Sequence, residues 1–173
     1  MSATDDNLAA AFAGESQARN KYTYYAEIAR KEGYHYIAKI FDETAENERR
    51  HAKDEFKLLG GLGDTLANLK AAFGGEDHEV TSMYPEFAEQ AKADGNVEAA
   101  RLFAQIAKVE AHHRDRYAKL VEMVEKETVF TRDEPIRWKC GVCGYVFDGK
   151  QPPPKCPCCK HPREHFEPAN LDI

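Results

Sequence analysis

Glu48-x-x-His51 and Glu110-x-x-His113 have the spacing that puts a carboxylate and an imidazole on one face of a helix. Each pair follows a single glutamate at a matched place, Glu15 before the first and Glu76 before the second. Two lone glutamates and two Glu-x-x-His pairs, one contribution per helix, make the ligand set of a carboxylate-bridged di-iron bundle. Carboxylates bridge two metals and offset their charge, while neutral imidazoles complete each metal's shell. Glu79, three residues after Glu76, can face the same way and would be a seventh ligand. The five glutamates carry five negative charges, so two Fe(II) leave the site at −1 and two Fe(III) at +1. Without metal, such a cluster in one core is repelled and desolvated, and must take up protons.

A single Glu-x-x-His in a chain rich in charge is ordinarily a solvated helix face. Glu32-Gly33-Tyr34-His35 has the same spacing, straddles a helix break and has no assigned role. Repetition separates the two pairs from such background. His112 points about 100° away from His113 on an ideal helix and reads as polar surface or outer shell. His78 reads as exposed. Tyr22, two turns after Glu15, and its counterpart Tyr84 either hydrogen-bond a ligand carboxylate or pack in the bundle.

A second set of ligand types closes the chain. Cys140-Gly-Val-Cys143 and Cys156-Pro-Cys-Cys159 are two C-x2-C knuckles with 12 residues between them. Four thiolates at this spacing make a tetrahedral sulfur site for iron or zinc, and spacing alone leans to a structural zinc ribbon. Cys158 is the odd residue and reads as a non-ligand. Trp138, Tyr145, Phe147 and Phe166 supply a small core, and Pro152-Pro153-Pro154 stiffens the connection.

The elements that must position these residues follow from apolar spacing. Residues 5–32 form a helix capped at Thr4 and ended by Gly33. A second helix runs from about Tyr36 to Leu59 and stops at Gly60-Gly61. Residues 61–74 form a connection. A third helix begins near Gly75 or Glu76 and ends at Gly95, with a kink where Pro85 frees the carbonyl of Thr81. A fourth spans about Asn96 to Lys126. The segment from Gly14 to His51 recurs from Gly75 to His113, offset by 61 residues at Glu15/Glu76 and by 62 from Tyr22/Tyr84 onward, so one residue is inserted between Glu76 and Tyr84. The fold class is therefore mainly α: a four-helix bundle with one long crossover plus a small C-terminal metal domain with four cysteine ligands. The domains are 1–130, a linker at 131–137, and 138–173. Nothing in the polar linker segment fixes the cysteine domain against the bundle.

Composition narrows the function. The chain has 173 residues, a net charge of −6 and 31% charged residues. That balance disfavours nucleic acid as the main partner, because phosphate binding needs a basic face. No stretch approaches a membrane span. All five cysteines and every proline except Pro85 lie from position 135 onward. The acidic start lacks signal-peptide character, so the cysteines read as metal ligands in a cytoplasmic protein.

The chain resembles the rubrerythrin family. Residues 5–126 are similar to its ferritin-like domain and 138–168 to its rubredoxin-like domain. The resemblance rests on Ala13-Gly14-Glu15-Ser16-Gln17-Ala18-Arg19, Glu48-Arg-Arg-His51, Gly75-Glu76-Asp-His-Glu79, Met83-Tyr84-Pro85, Glu110-Ala-His-His113 and the cysteine knuckles. It implies two non-haem irons held by Glu15, Glu48, His51, Glu76, Glu79, Glu110 and His113, and one iron held by Cys140, Cys143, Cys156 and Cys159. It implies that one iron exchanges Glu79 for His51 on reduction. It further implies a homodimeric peroxidase of oxidative-stress defence, fed by an external reductase or electron carrier.

Zinc has no redox chemistry, so the di-iron neighbour turns the reading of the cysteine site to iron. Tyr22 and Tyr84 join the catalytic set as residues beside the ligands. Two departures from the family pattern lie outside the ligands: Cys158, and Ser82 just before Met83. The chain leaves the fourth helix about 20 Å beyond its ligands. The resemblance therefore implies a head-to-tail dimer, one chain's cysteine site beside the other chain's iron pair. The competing readings are a ferroxidase or iron-handling ferritin-like protein, which the cysteine tail argues against, and a binding protein with a zinc ribbon, which the intact Glu-x-x-His pairs argue against.

Overall fold

The computed structural model describes residues 2–170. The chain divides into two compact units, one ending at Gly63 and one beginning at Asp64.

The first unit is a helical hairpin of α1 (Ala3–Lys31) and α2 (His35–Leu58). Ser2, not the expected Thr4, caps α1: its hydroxyl accepts from the Asp5 N–H, and the Asp5 carboxylate accepts from the Ser2 N–H. A reciprocal capping box satisfies two otherwise unpaired donors, which Thr4 inside the first turn could not do. The helices approach through small side chains. Ala26, Ala29 and Ala38 are buried together with Phe41 against them, and Tyr22 stacks on Phe41. At the other end Phe12 stacks on Phe56, ring centroids 4.9 Å apart.

In the second unit the third helix starts ten residues before the expected point. α3 is Thr65–His78, capped by the Asp64 carboxylate accepting from the Ala67 N–H at 2.8 Å. Leu66, Leu69 and Phe73, in the segment 61–74 read as a connection, therefore lie on a helix. A π turn, Glu79–Met83, follows, and then α4 (Tyr84–Ala93). This π turn is the structural form of the inserted residue, since closing i→i+5 absorbs one extra residue per turn. The Tyr84 N–H bonds to the Glu79 carbonyl. Pro85 falls in the first turn of α4, where a missing N–H costs little. The helix is thus accommodated by a π turn at the place where the sequence predicted a simple proline kink. α5 (Val97–Glu125) is capped by Asn96, as expected.

Three short strands complete this unit: β1 (Ile136–Cys140), β2 (Val146–Gly149) and β3 (Phe166–Pro168), antiparallel in the order β2-β1-β3. Trp138, Cys140, Cys156 and Phe166 are buried together, with Ile136 and Phe147 packed on them. Tyr145, expected in this core, is exposed. Its contribution is through the backbone, its carbonyl accepting from the Cys140 N–H at 2.8 Å.

The linker is tied at both ends, contrary to the expectation from its polarity. The Thr128 N–H bonds to the Met123 carbonyl of α5. The Arg132 guanidinium donates to the carbonyls of Thr128 and Thr131, and its Cζ lies 5.2 Å from the centroid of the Trp138 ring. The Arg132 N–H also reaches the Lys150 carbonyl at 2.9 Å. One planar cation thus brackets the linker to the small domain, a role that charge patterning alone did not reveal.

Candidate metal centres

In the first unit α1 brings Glu15 and α2 brings Glu48 and His51 to one place, their ligating atoms within 4.8 Å of one another. His51 Nδ1 lies 2.9 Å from Glu48 Oε2 on its own helix and 3.8 Å from Glu15 Oε1 on the other. In the second unit α3 supplies Glu76 and α5 supplies Glu110 and His113, again within 4.8 Å. His113 Nδ1 lies 2.5 Å from Glu110 Oε2 and 3.8 Å from Glu76 Oε2. The internal repeat is therefore a repeat of ligand geometry.

The electrostatics of each triad favour a cation. The Glu48 carboxylate beside Glu15 pushes the Glu15 carboxyl up, with burial adding to it. Burial pushes Glu76 up, and the hydrogen-bonded Glu110 carboxylate adds to the shift. Acids driven toward protonation by one another are relieved by a bound metal. With metal–oxygen and metal–nitrogen bonds of about 2.0–2.2 Å, an ion spans donors at these separations. The donor set, mixed carboxylate and imidazole, suits iron.

Glu79 opens the π turn and lies outside the tight triad, yet its charge adds to the upward push on Glu76. Tyr84 is half-buried. Burial, and then the charges of Glu79, Glu110 and Glu76, push its phenol up, so it stays protonated and able to donate. Tyr22 occupies the matching place in α1 and stacks on Phe41. One residue went unnoticed in the sequence. Glu55 Oε2 is buried without a hydrogen-bond partner, and the Glu55 charge adds to the push on Glu15. The signal was available: Glu48, His51 and Glu55 follow the 0, 3, 7 spacing of one helical stripe.

The cysteine cluster is Cys140, Cys143, Cys156 and Cys159, with Cys158 outside it and exposed. Cys140 Sγ to Cys159 Sγ and Cys143 Sγ to Cys156 Sγ are both 3.7 Å. Four sulfurs on a tetrahedron with ~2.3 Å metal–sulfur bonds sit about 3.75 Å apart, so the cluster has the dimensions of a metal cage. The two knuckles share one turn. The Gly144 N–H returns to the Cys140 carbonyl and the Lys160 N–H to the Cys156 carbonyl, with φ of +76° and +64°. Although burial disfavours its thiolate, backbone N–H groups of Cys159 and Cys158 bring Cys156 down to about 6. The Tyr145 N–H favours the Cys143 thiolate, but burial and the neighbouring sulfurs push Cys143 up to about 12. One thiolate held among thiols is how a four-sulfur cage behaves when several like charges cannot coexist.

Residues 6–121 match the rubrerythrin family and residues 138–167 match the rubrerythrin rubredoxin-like domain. The fold and the two kinds of centre thus define a non-haem di-iron protein with a four-cysteine site, and the chain belongs to the rubrerythrin family. It is 49% identical to a rubrerythrin of Porphyromonas gingivalis over 99% of this chain and 92% of that protein. It is 45% identical to a rubrerythrin of Nitratidesulfovibrio vulgaris over 96% of this chain and 94% of that one. A solved structure of nigerythrin in a partially reduced state is 31% identical over 97% of this chain and 87% of that chain, with a TM-score of 0.38. The family's homologues are di-iron oxidoreductases, and its rubredoxin-like domain implies electron transfer. Among the described residues no helix is long and apolar enough to cross a membrane.

Proposed function

We propose that the protein is a peroxidase that reduces hydrogen peroxide to water, in oxidative-stress defence, with electrons delivered through an iron held by Cys140, Cys143, Cys156 and Cys159. Glu15, Glu48, His51, Glu76, Glu79, Glu110 and His113 hold the iron pair in this reading. The observation that carries it is the presence, in one chain, of two Glu/His triads of matched geometry and a sulfur cage of metal dimensions. When bound, the iron pair supplies the two electrons that, with two protons, convert peroxide into two waters. The chain's residues do the rest. Glu15, pushed up in the metal-free site by the neighbouring Glu48 carboxylate and burial, and Glu76, pushed up by burial and the neighbouring Glu110 carboxylate, would be held as carboxylates by bound iron. Tyr84, protonated beside three carboxylates, donates a hydrogen bond to whatever anion or oxygen lies there. Glu79 and His51 would hold one iron alternately, according to its redox state. The backbone N–H groups of Cys158 and Cys159 favour the Cys156 thiolate, the form that would ligate iron.

The reading includes the division into a bundle at 1–130, a linker at 131–137 and a rubredoxin-like domain at 138–173. It also includes a homodimer in which one chain's cysteine site serves the partner's iron pair, an external electron donor, and a reducing, cytoplasmic setting for the free thiols. Metal analysis with a visible spectrum tests it. Two irons outside the cysteine site, one within it with ferric–thiolate absorption, and peroxide consumption driven by an external reductant are expected. Zinc in the cysteine site, or iron-loaded protein inert to peroxide, overturns the assignment.

A further inference from the structure

We propose that Glu55 is a further ligand of the iron bound at Glu15, Glu48 and His51. It adds a fourth donor to the first triad of the iron reading above, on which this proposal rests.

One oxygen beside that triad is left unsatisfied. Glu55 is half-buried, and its Oε2 is the one side-chain oxygen or nitrogen among the described residues that is buried without a hydrogen-bond partner. A buried carboxylate oxygen keeps its charge only against a donor or a cation. A metal in the neighbouring triad is such a cation.

The helix brings that oxygen to the triad. Glu55 follows His51 by four residues and Glu48 by seven, on one stripe of α2. Helical side chains lean toward the N-terminus of their helix, so Glu55 leans back over the turn that carries His51. Cβ atoms four residues apart are about 5–6 Å from one another, a gap that a glutamate side chain crosses. Across the hairpin the level is fixed by Phe12 and Phe56, whose rings stack 4.9 Å apart. Phe56 adjoins Glu55, and Phe12 lies one turn before Glu15. The Glu55 charge is accordingly felt at the Glu15 carboxyl, which it helps to push up. Glu55 stands outside the tight group of Glu15, Glu48 and His51, as Glu79 stands outside that of Glu76, Glu110 and His113. Because Oε2 has no partner, no hydrogen bond of that oxygen breaks when the side chain turns to a metal.

The repeat shows that packing does not account for this residue. The 62-residue offset that carries His51 onto His113 carries Glu55 onto Tyr117. The 61-residue offset of Glu15 and Glu76 carries Ala18 onto Glu79. A position kept for packing alone would hold an apolar or aromatic side chain in both hairpins. Instead each hairpin adds one carboxylate to its triad, Glu79 just after α3 in one and Glu55 on α2 in the other. A fourth donor that is an anionic oxygen also favours Fe(III) over Fe(II) at that metal.

Glu55→Leu and Glu55→Gln in the full-length, iron-loaded protein test the ligation. Leucine removes an oxygen that is unpaired in the metal-free fold, so the variant folds, and its metal-free Tm checks this. Mössbauer spectra separate the four-thiolate iron, which serves as an internal standard, from the carboxylate-bound pair. In Glu55→Leu one pair iron is expected to change its quadrupole splitting while the other keeps it, and the changed iron passes to a competing chelator at ~10-fold lower chelator concentration. Glu55→Gln, which keeps an oxygen and loses the charge, is expected to change the same iron by less. A pair spectrum in Glu55→Leu that matches the wild type overturns the ligation, even if the reduction potential of the pair rises, since a rise alone reports a nearby charge. An equal change at both irons reports a general disturbance and also overturns it. In either case the wild-type spectrum, with two carboxylate-bound irons, leaves the iron reading standing; a wild-type protein with no such iron overturns that reading itself.

Discussion

The first and second helical hairpins carry the same three ligand types, with the same 3.8 Å between histidine and the glutamate across the helices, yet they are not copies in chemistry. The second holds a π turn, Glu79 and a tyrosine surrounded by carboxylates. The first holds an unbroken helix and Glu55, half-buried, with one carboxylate oxygen, Oε2, buried without a partner. Eight residues separate Glu76 from Tyr84 where seven separate Glu15 from Tyr22. Seven residues are two α-helical turns, and the π turn takes up the eighth, so Tyr84 returns to the ligand face. Duplication supplied two equal ligand sets, and one inserted residue made room for a further acid beside one of them without moving the tyrosine.

The largest expected effect comes from removing a ligand in either hairpin. Glu48→Ala and Glu110→Ala each strip or scramble the iron pair while leaving helix content unchanged by circular dichroism, and iron analysis reads the loss. Full iron and unchanged peroxide consumption in either variant would sink the equivalence of the triads. Next comes deletion of Ser82, which erases the π turn. A continuous helix then keeps Tyr84 two turns after Glu76, as Tyr22 is after Glu15, and takes from Glu79 the wide turn that it opens. Iron content is expected to fall with helix content preserved, whereas deleting an exposed residue elsewhere in α4 leaves iron intact.

A smaller effect follows from the acids. In the metal-free chain Glu15 is pushed above its ordinary range by Glu48 first and burial next. The stability it gains from its proton is fully present below the unfolded value of about 4.3 and lost as pH rises through the raised folded value. The metal-free Tm therefore falls across that window, and Glu15→Gln flattens the fall. Glu55→Leu, which removes a buried oxygen without a partner, raises the metal-free Tm at neutral pH. The smallest effect lies outside the hairpins. Lys160 takes the left-handed backbone that Gly144 takes in the first knuckle, and Lys160→Gly is expected to stabilise the cysteine domain by about 1 kcal/mol, read by denaturant unfolding of the metal-loaded protein.

Much of this molecule was legible because its chemistry is carried by short spacings. An i, i+3 pair shares a helix face whatever the helix packs against, and two C-x2-C knuckles close around one centre because their turns are local. The offset of the repeat announced an extra residue before Tyr84, though not that a π turn would absorb it. Thr4 failed as a cap because Ser2 and Asp5 make the reciprocal pair. Residues 65–74 read as part of the connection, with the third helix starting near Gly75 or Glu76, but the Asp64 cap starts the helix at Thr65 and it runs on through Gly74 and Gly75.

The sequence by itself determined the candidate ligand types, their recurrence in two matched segments and in two cysteine knuckles, and, apart from the start of α3, the helices that carry them. Tertiary structure alone decided how near the parts of each centre come: 3.8 Å across each hairpin and 3.7 Å between sulfurs. It decided that Arg132 brackets the linker against Trp138, that Tyr145 faces outward, and that Glu55 Oε2 is buried without a partner. The physical reason is range. Spacing along a helix or turn is set by backbone geometry over a few residues. Distances between elements, and the burial that shifts an acid, depend on how whole helices approach, here through alanines too small to be read as a core.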